Sequence, residues 1–116
     1  MTHKDLEVWK LSIQLVVDIY KLLENFPVKE DFCLTQQIRR SVISVPSNIA
    51  EGAGRSSTKE MLRFLDISIG SLSELETQLI IAIELKYIDY QDVIPVNVSK
   101  IRNMLLSLKR SLIQKL

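Results

Sequence analysis

Apolar positions recur at alternating intervals of three and four along most of the chain, the period of an α-helix. The first such segment spans about Lys4 to Asn25 and stops before Pro27. Leu6, Trp9, Ile13, Val16, Tyr20 and Leu23 form one stripe, and Val8, Leu11, Leu15, Ile19, Leu22 and Phe26 form a second. Residues 8, 15 and 22 lie about 200° around the helix from 6, 13 and 20. A helix that is apolar on two sides must bury both. One bundle subunit covers one inward side, so the pattern predicts that Val8, Leu11, Leu15, Ile19 and Leu22 meet another copy of the chain.

The second helix is predicted from Leu34 to between Ala50 and Gly52, with a stripe of Leu34, Ile38, Val42 or Ser41, Val45 and Ile49. Ser41, Ser44, Ser47 and Ala50 are small and permit close approach of a neighbour. Pro46 removes one backbone bond and crowds the carbonyl of Val42. A bend is expected there, with that carbonyl served by water or a Ser or Asn side chain. Gly52 or Gly54 is expected to end the helix in the left-handed conformation.

The third helix opens on a capping box from Ser57 to Glu60 and carries Met61, Leu65, Ser68, Leu72, Leu75, Leu79 and Ala82 inward. Gly70 inside it costs about 1 kcal/mol relative to alanine, so close contact with a neighbouring helix is expected. The fourth carries Val98, Ile101, Leu105, Leu108 and Leu112 and is expected to open between Asp89 and Asp92, with Pro95 in its first turn. Short connections make neighbours antiparallel. The predicted fold is all-α, an antiparallel up-down four-helix bundle over residues 1–116 as one domain.

A turn centred on Gly54 to Ser56 would set Ser41 opposite Gly70, Ser44 near Ile67, and Arg40 or Gln37 opposite Glu74. Glu51 and Arg55 stand four apart in the favourable order for an ion pair. Asn48 lies one turn before the helix end and can bond backbone freed there. One reading of this set is a polar network fixing the turn. A second is a ligand- or RNA-contacting edge along Arg55, Lys59 and Arg63. A third is a catalytic cluster of Asn48, Glu51, Arg55 and Glu74.

The chain has 116 residues, 47% hydrophobic, with net charge +1, so no overall field draws it to nucleic acid or anionic lipid. The cations cluster late: Lys100, Arg102, Lys109, Arg110 and Lys115 follow the last acid, Asp92, while the third helix is acidic. These charges suit either pairing between helices or a basic partner-binding face. A single cysteine, Cys33, fits a reducing cytoplasm, and no apolar run reaches the roughly 20 residues of a membrane span. The one histidine, His3, rules against Glu-x-x-His di-metal sites and against zinc. No phosphate-cradling glycine loop or nucleophile elbow is present, so no cofactor, metal or catalytic residue is assigned.

The run Val45-Pro46-Ser47-Asn48-Ile49-Ala50-Glu51-Gly52, then Gly54-Arg55-Ser56-Ser57, Phe64-Leu65 and Gly70 to Thr77, resembles proteins encoded in intervening sequences of bacterial large-subunit (23S) ribosomal RNA genes. Val8-Trp9, Phe26-Pro27 and Gln37-Ile38-Arg39-Arg40 fit the same pattern. The chain is similar also to the accessory protein of diversity-generating retroelements, a basic barrel that binds nucleic acid and a reverse transcriptase. The resemblance implies a cytoplasmic bundle assembled as a pentameric ring, with Asn48, Glu51, Gly52, Arg55, Gly70, Ser71 and Glu74 as motif and polar-network positions. It transfers no catalytic residue. Its implied function is a non-enzymatic scaffold associated with ribosomal RNA, through Arg39, Arg40, Arg55, Lys59, Arg63, Lys100, Arg102, Lys109 and Arg110. An adaptor ring that binds a protein partner and no nucleic acid is the alternative.

Overall fold

The computed structural model describes residues 2–89 and 94–116, except for the side chains of residues 94–96. The described residues form four α-helices: α1 (Glu7–Leu23), α2 (Leu34–Ala53), α3 (Thr58–Glu84) and α4 (Ile94–Ile113). A 3-10 turn, His3–Asp5, precedes α1, and another, Val28–Glu30, links α1 to α2. The residues expected to open the fourth helix fall partly outside the described ones; α4 carries Pro95 in its first turn. Helix α1 packs on α2 and α4, and α3 packs on the same two, so α1 and α3 stand at diagonal corners.

Ile19, Ile38, Val42, Val45, Ile49, Leu65, Leu72, Leu75, Val98 and Leu105 are fully buried and form one continuous core. Three residues expected at a contact between copies belong to it. Val8, Leu15 and Ile19 are buried by the chain's own helices, and Leu11 and Leu22 pack against them half-buried. The other stripe is the more exposed, with Ile13 and Tyr20 each 39% exposed beside Val17 at 42%, although its last member, Leu23, joins the core. The reason lies in the two stripes' chemistry. The buried one is aliphatic apart from Phe26, whereas the other carries Trp9 and Tyr20, whose N–H and O–H need a wet or polar edge. Burying the first removes more apolar surface from water without leaving a polar group unpaired.

Helix α2 runs unbroken through Pro46. Asn48 Nδ2 donates to the Ser44 carbonyl at 2.8 Å and Ser68 Oγ donates to the Val45 carbonyl at 2.9 Å. The side chains beside the proline thus serve the carbonyls of Ser44 and Val45, where Val42 had been expected.

The glycines behave differently from expectation. Neither Gly52 nor Gly54 is left-handed; Gly54 caps α2 at φ −83°. The left-handed residue is Lys86, at φ 65°, just past the end of α3. Its N–H bonds the Ile83 carbonyl and the Tyr87 N–H bonds the Ala82 carbonyl, each at 2.9 Å. That is a Schellman ending with lysine where glycine is usual. A Cβ on Gly70 would meet nothing within 4 Å, so this glycine fills no tight contact inside the subunit.

The α2–α3 register also differs. Ser41 bonds Gln78, Ser44 bonds Ser71, and Ser68 bonds the Val45 carbonyl. Partner numbers fall on α3 as they rise on α2, but the pairing is displaced by about one helical turn from the expected one. The displacement follows from the link: α2 persists to Ala53 and the pivot falls nearer Ser57 than Gly54.

A non-glycine residue in the left-handed region costs roughly 1–2 kcal/mol, partly offset for glycine by its freedom in the unfolded chain. Lys86→Gly is therefore expected to raise stability by about 0.5–1 kcal/mol, read as a higher urea midpoint at unchanged slope.

Candidate functional site: the α2–α3 seam and turn

The site is built outward from Gly52. It is buried where α2 meets the first turns of α3, and a Cβ there would lie 2.9 Å from Phe64 Cβ and 3.2 Å from the Met61 carbonyl oxygen. Only a residue without a side chain lets the two helices close to this distance. The approach seats Phe64, which is itself buried. Arg55 and Arg63 both place their guanidinium groups on that ring, 4.9 and 4.8 Å from its centroid.

Each arginine has its own carboxylate. Arg55 Nη2 pairs with Glu51 Oε1, as the spacing of four predicts. Arg63 Nε pairs with Glu60 Oε2 at 3.2 Å. Ser57 caps α3, its Oγ accepting from the Glu60 N–H at 3.1 Å, but the Glu60 side chain turns forward to Arg63. The box expected from Ser57 to Glu60 is thus half formed.

Above the turn runs a polar ladder. Ser71 Oγ donates to Ser44 Oγ at 2.8 Å, Asn48 Nδ2 donates to the same oxygen at 2.9 Å, and Ser41 Oγ donates to Gln78 Oε1 at 2.9 Å. Asn48 and Ser71, both singled out from sequence, meet at Ser44. Small hydroxyls satisfy each other here where larger polar side chains would hold the helices apart.

The family model of the 23S rRNA-intervening sequence proteins matches residues 4–107. The chain belongs to that family. It is similar to a protein of unknown function from the S23 ribosomal protein family of Bacteroides thetaiotaomicron, solved at 1.70 Å. The likeness has 25% identity and a TM-score of 0.82, and covers 89% of this chain and 95% of that one. Comparison with curated proteins gives no match.

The motif positions of this family member divide into two groups. Asn48, Glu51, Gly52, Arg55 and Ser71 are drawn together along the seam. Gly70 and Glu74 stand outside it: Gly70 faces open space and Glu74 is exposed, with no hydrogen bond or ion pair. Glu74 had been expected opposite Arg40 or Gln37, with a guanidinium partner; it shares a groove with Gln37 but bonds neither. Glu51 and Glu74 therefore do not converge on one chemical centre. Ser44 as the hub of the ladder and Phe64 as the seat for two arginines were not singled out from sequence. The serine run of α2 and the adjacency of Arg63 to Phe64 are the signals that pointed to them.

The cations proposed for nucleic acid are scattered. Arg102 pairs with Glu76 at 3.2 Å and Lys109 pairs with Asp66, so both tie α4 to α3 and are largely shielded. Arg110 Nη2 donates to Ser107 Oγ at 3.0 Å. Arg39 lies over Tyr20, 5.6 Å from its centroid, with Nε buried and unbonded. Arg40, Lys59 and Lys100 are exposed and make no ion pair. At the opposite end of the bundle the Tyr87 phenol donates to Glu30 Oε2 at 2.8 Å. The Glu30 hydrogen bond first, then burial and the carboxylate's charge, raise the Tyr87 pKa above the ordinary phenol value. Among the described residues no group of three His, Cys, Asp or Glu could hold a metal ion, and no helix is long and apolar enough to cross a membrane.

Ser44→Ala removes a partner from both Asn48 and Ser71 and is expected to cost about 1–2 kcal/mol in urea unfolding. The double variant Ser44→Ala/Ser71→Ala is expected to cost less than the two single losses combined, because the hydroxyls share one bond.

Proposed function

We propose that the protein is a non-enzymatic scaffold, an antiparallel up-down bundle whose copies join in a closed ring in the cytoplasm and work beside ribosomal RNA. One observation carries the assembly. Ile13, Val17 and Tyr20 of α1 and Ile43 of α2 lie exposed on the α1–α2 side, next to half-buried Trp9 and Val16. A shallow groove of about 320 Å³ is lined by Trp9, Ile13, Val16, Ile43, Pro46 and Ala50. Apolar residues gathered on one side of two helices are the surface that a neighbouring copy removes from water.

The absence of an assigned reaction fits the chemistry of the carboxylates. Glu51 is held in an exposed ion pair at the turn, and Glu74 points elsewhere on α3. Association with RNA is supported by the family's description and by the unpaired cations Arg40, Lys59 and Lys100. The adaptor reading has its own support: Arg55, Arg63, Arg102 and Lys109 already have carboxylate partners, which leaves little net charge for phosphates.

Light scattering of the purified chain is expected to give a multiple of 13.3 kDa; a mass of one chain contradicts the assembly. Filter binding of a large-subunit ribosomal RNA segment tests the RNA role. Raising salt from about 50 to 200 mM is expected to weaken binding roughly tenfold or more if phosphates are contacted. No binding at the lower salt favours the adaptor ring.

A further inference from the structure

Two features that the subunit leaves unexplained lie on one side of α3. A glycine inside a helix weakens it relative to alanine, yet Gly70 gains no close packing within its own chain. Glu74, one turn further on, has an exposed carboxylate with no hydrogen bond or ion pair. Ile67 and Ile81, 40% and 44% exposed, extend the same strip. Helical spacing puts all four on the flank of α3 next to α2. A shallow groove of about 530 Å³ opens there, lined by Leu34, Gln37, Glu74, Thr77 and Ile81.

The α1–α2 side shows the converse. Arg39 rests on the Tyr20 ring and makes no hydrogen bond or ion pair, and its Nε is already shut off from water. Around it stand the exposed Val17, Tyr20 and Ile43. Both sides therefore carry exposed apolar groups beside a shallow groove; one adds an unmet cation, the other a missing side chain and an unmet carboxylate.

We infer that copies associate head to tail: the α1–α2 side of one copy seats on the α2–α3 side of the next, and Arg39 meets Glu74 across the contact. The inference rests on the assembly proposed above and names its two faces and their polarity. A two-fold contact centred on either patch alone would set that patch against itself, arginine opposite arginine or carboxylate opposite carboxylate. Head-to-tail pairing satisfies both charges and fills the space at Gly70 with a neighbour's side chain. The two sides share α2 and so are adjacent sides of the bundle. Each added copy then turns relative to the last, as a closed ring requires.

Two variants test the pairing by light scattering. Ile43→Glu spoils the first face, and Gly70→Gln fills the second; both positions are exposed, so the subunit keeps its fold. Each alone is expected to run as a single chain. Mixed in equal amounts they are expected to form a pair and stop, because each retains one good face. Either variant keeping the wild-type mass, or a mixture that stays at one chain, overturns the inference while leaving assembly itself standing. A wild-type mass of 13.3 kDa overturns both. Glu74→Arg is expected to weaken association about tenfold, and adding Arg39→Glu in the same chain to restore it. Failure of the swap to restore association rejects the Arg39–Glu74 contact.

Discussion

The architecture depends on how closely α2 and α3 approach at Gly52. Phe64 Cβ and the Met61 carbonyl occupy the space a side chain would need. Everything at the turn follows from that proximity. Phe64 is drawn inward and becomes a platform for Arg55 and Arg63, and each arginine is then steadied by a carboxylate one turn away on its own segment. These exposed ion pairs contribute little energy singly. Their effect is orientation: they hold the guanidinium groups on the ring and so mark where α2 stops and α3 starts. Further along, the hydroxyls of Ser44 and Ser71 keep the seam narrow while satisfying each other and Asn48, and Ser41 donates to Gln78.

The fourth helix is held by a different mixture. Val98, Ile101 and Leu105 enter the common core, and Arg102 and Lys109 reach back to Glu76 and Asp66 of α3. Two of the cations of α4 are thus spent on two carboxylates of α3. Lys100, Arg110 and Lys115 of the same late run, like Arg40 and Lys59, are exposed and have no carboxylate partner.

Much of this was legible in the residue pattern. Periodicity alone located four helices and nearly all of the core of α2, α3 and α4. The Glu51–Arg55 pair and the Ser57 cap followed from spacing. Three things were not legible, each for a physical reason. The two stripes of α1 have similar hydrophobicity, and only the polar ends of Trp9 and Tyr20 distinguish the one that stays at the surface. A glycine near a helix end signals a cap or a close approach equally well; Gly52 is the second, and the left-handed position went to Lys86. Register between helices depends on where the chain pivots. A link only a few residues long shifts every pairing by a turn when its pivot moves by two. That shift took Ser41 away from Gly70 and onto Gln78, and Glu74 was left without the guanidinium expected for it.

Replacing Gly52 by alanine puts the central claim to the most direct test. By intrinsic propensity alone this change in a helix gains about 1 kcal/mol. The close approach predicts the opposite sign. The added Cβ must push α3 away from α2, at a net loss of about 1–3 kcal/mol measured by urea unfolding. An unchanged or higher unfolding midpoint for Gly52→Ala would contradict the account, because the seam would then have room that the structure denies it.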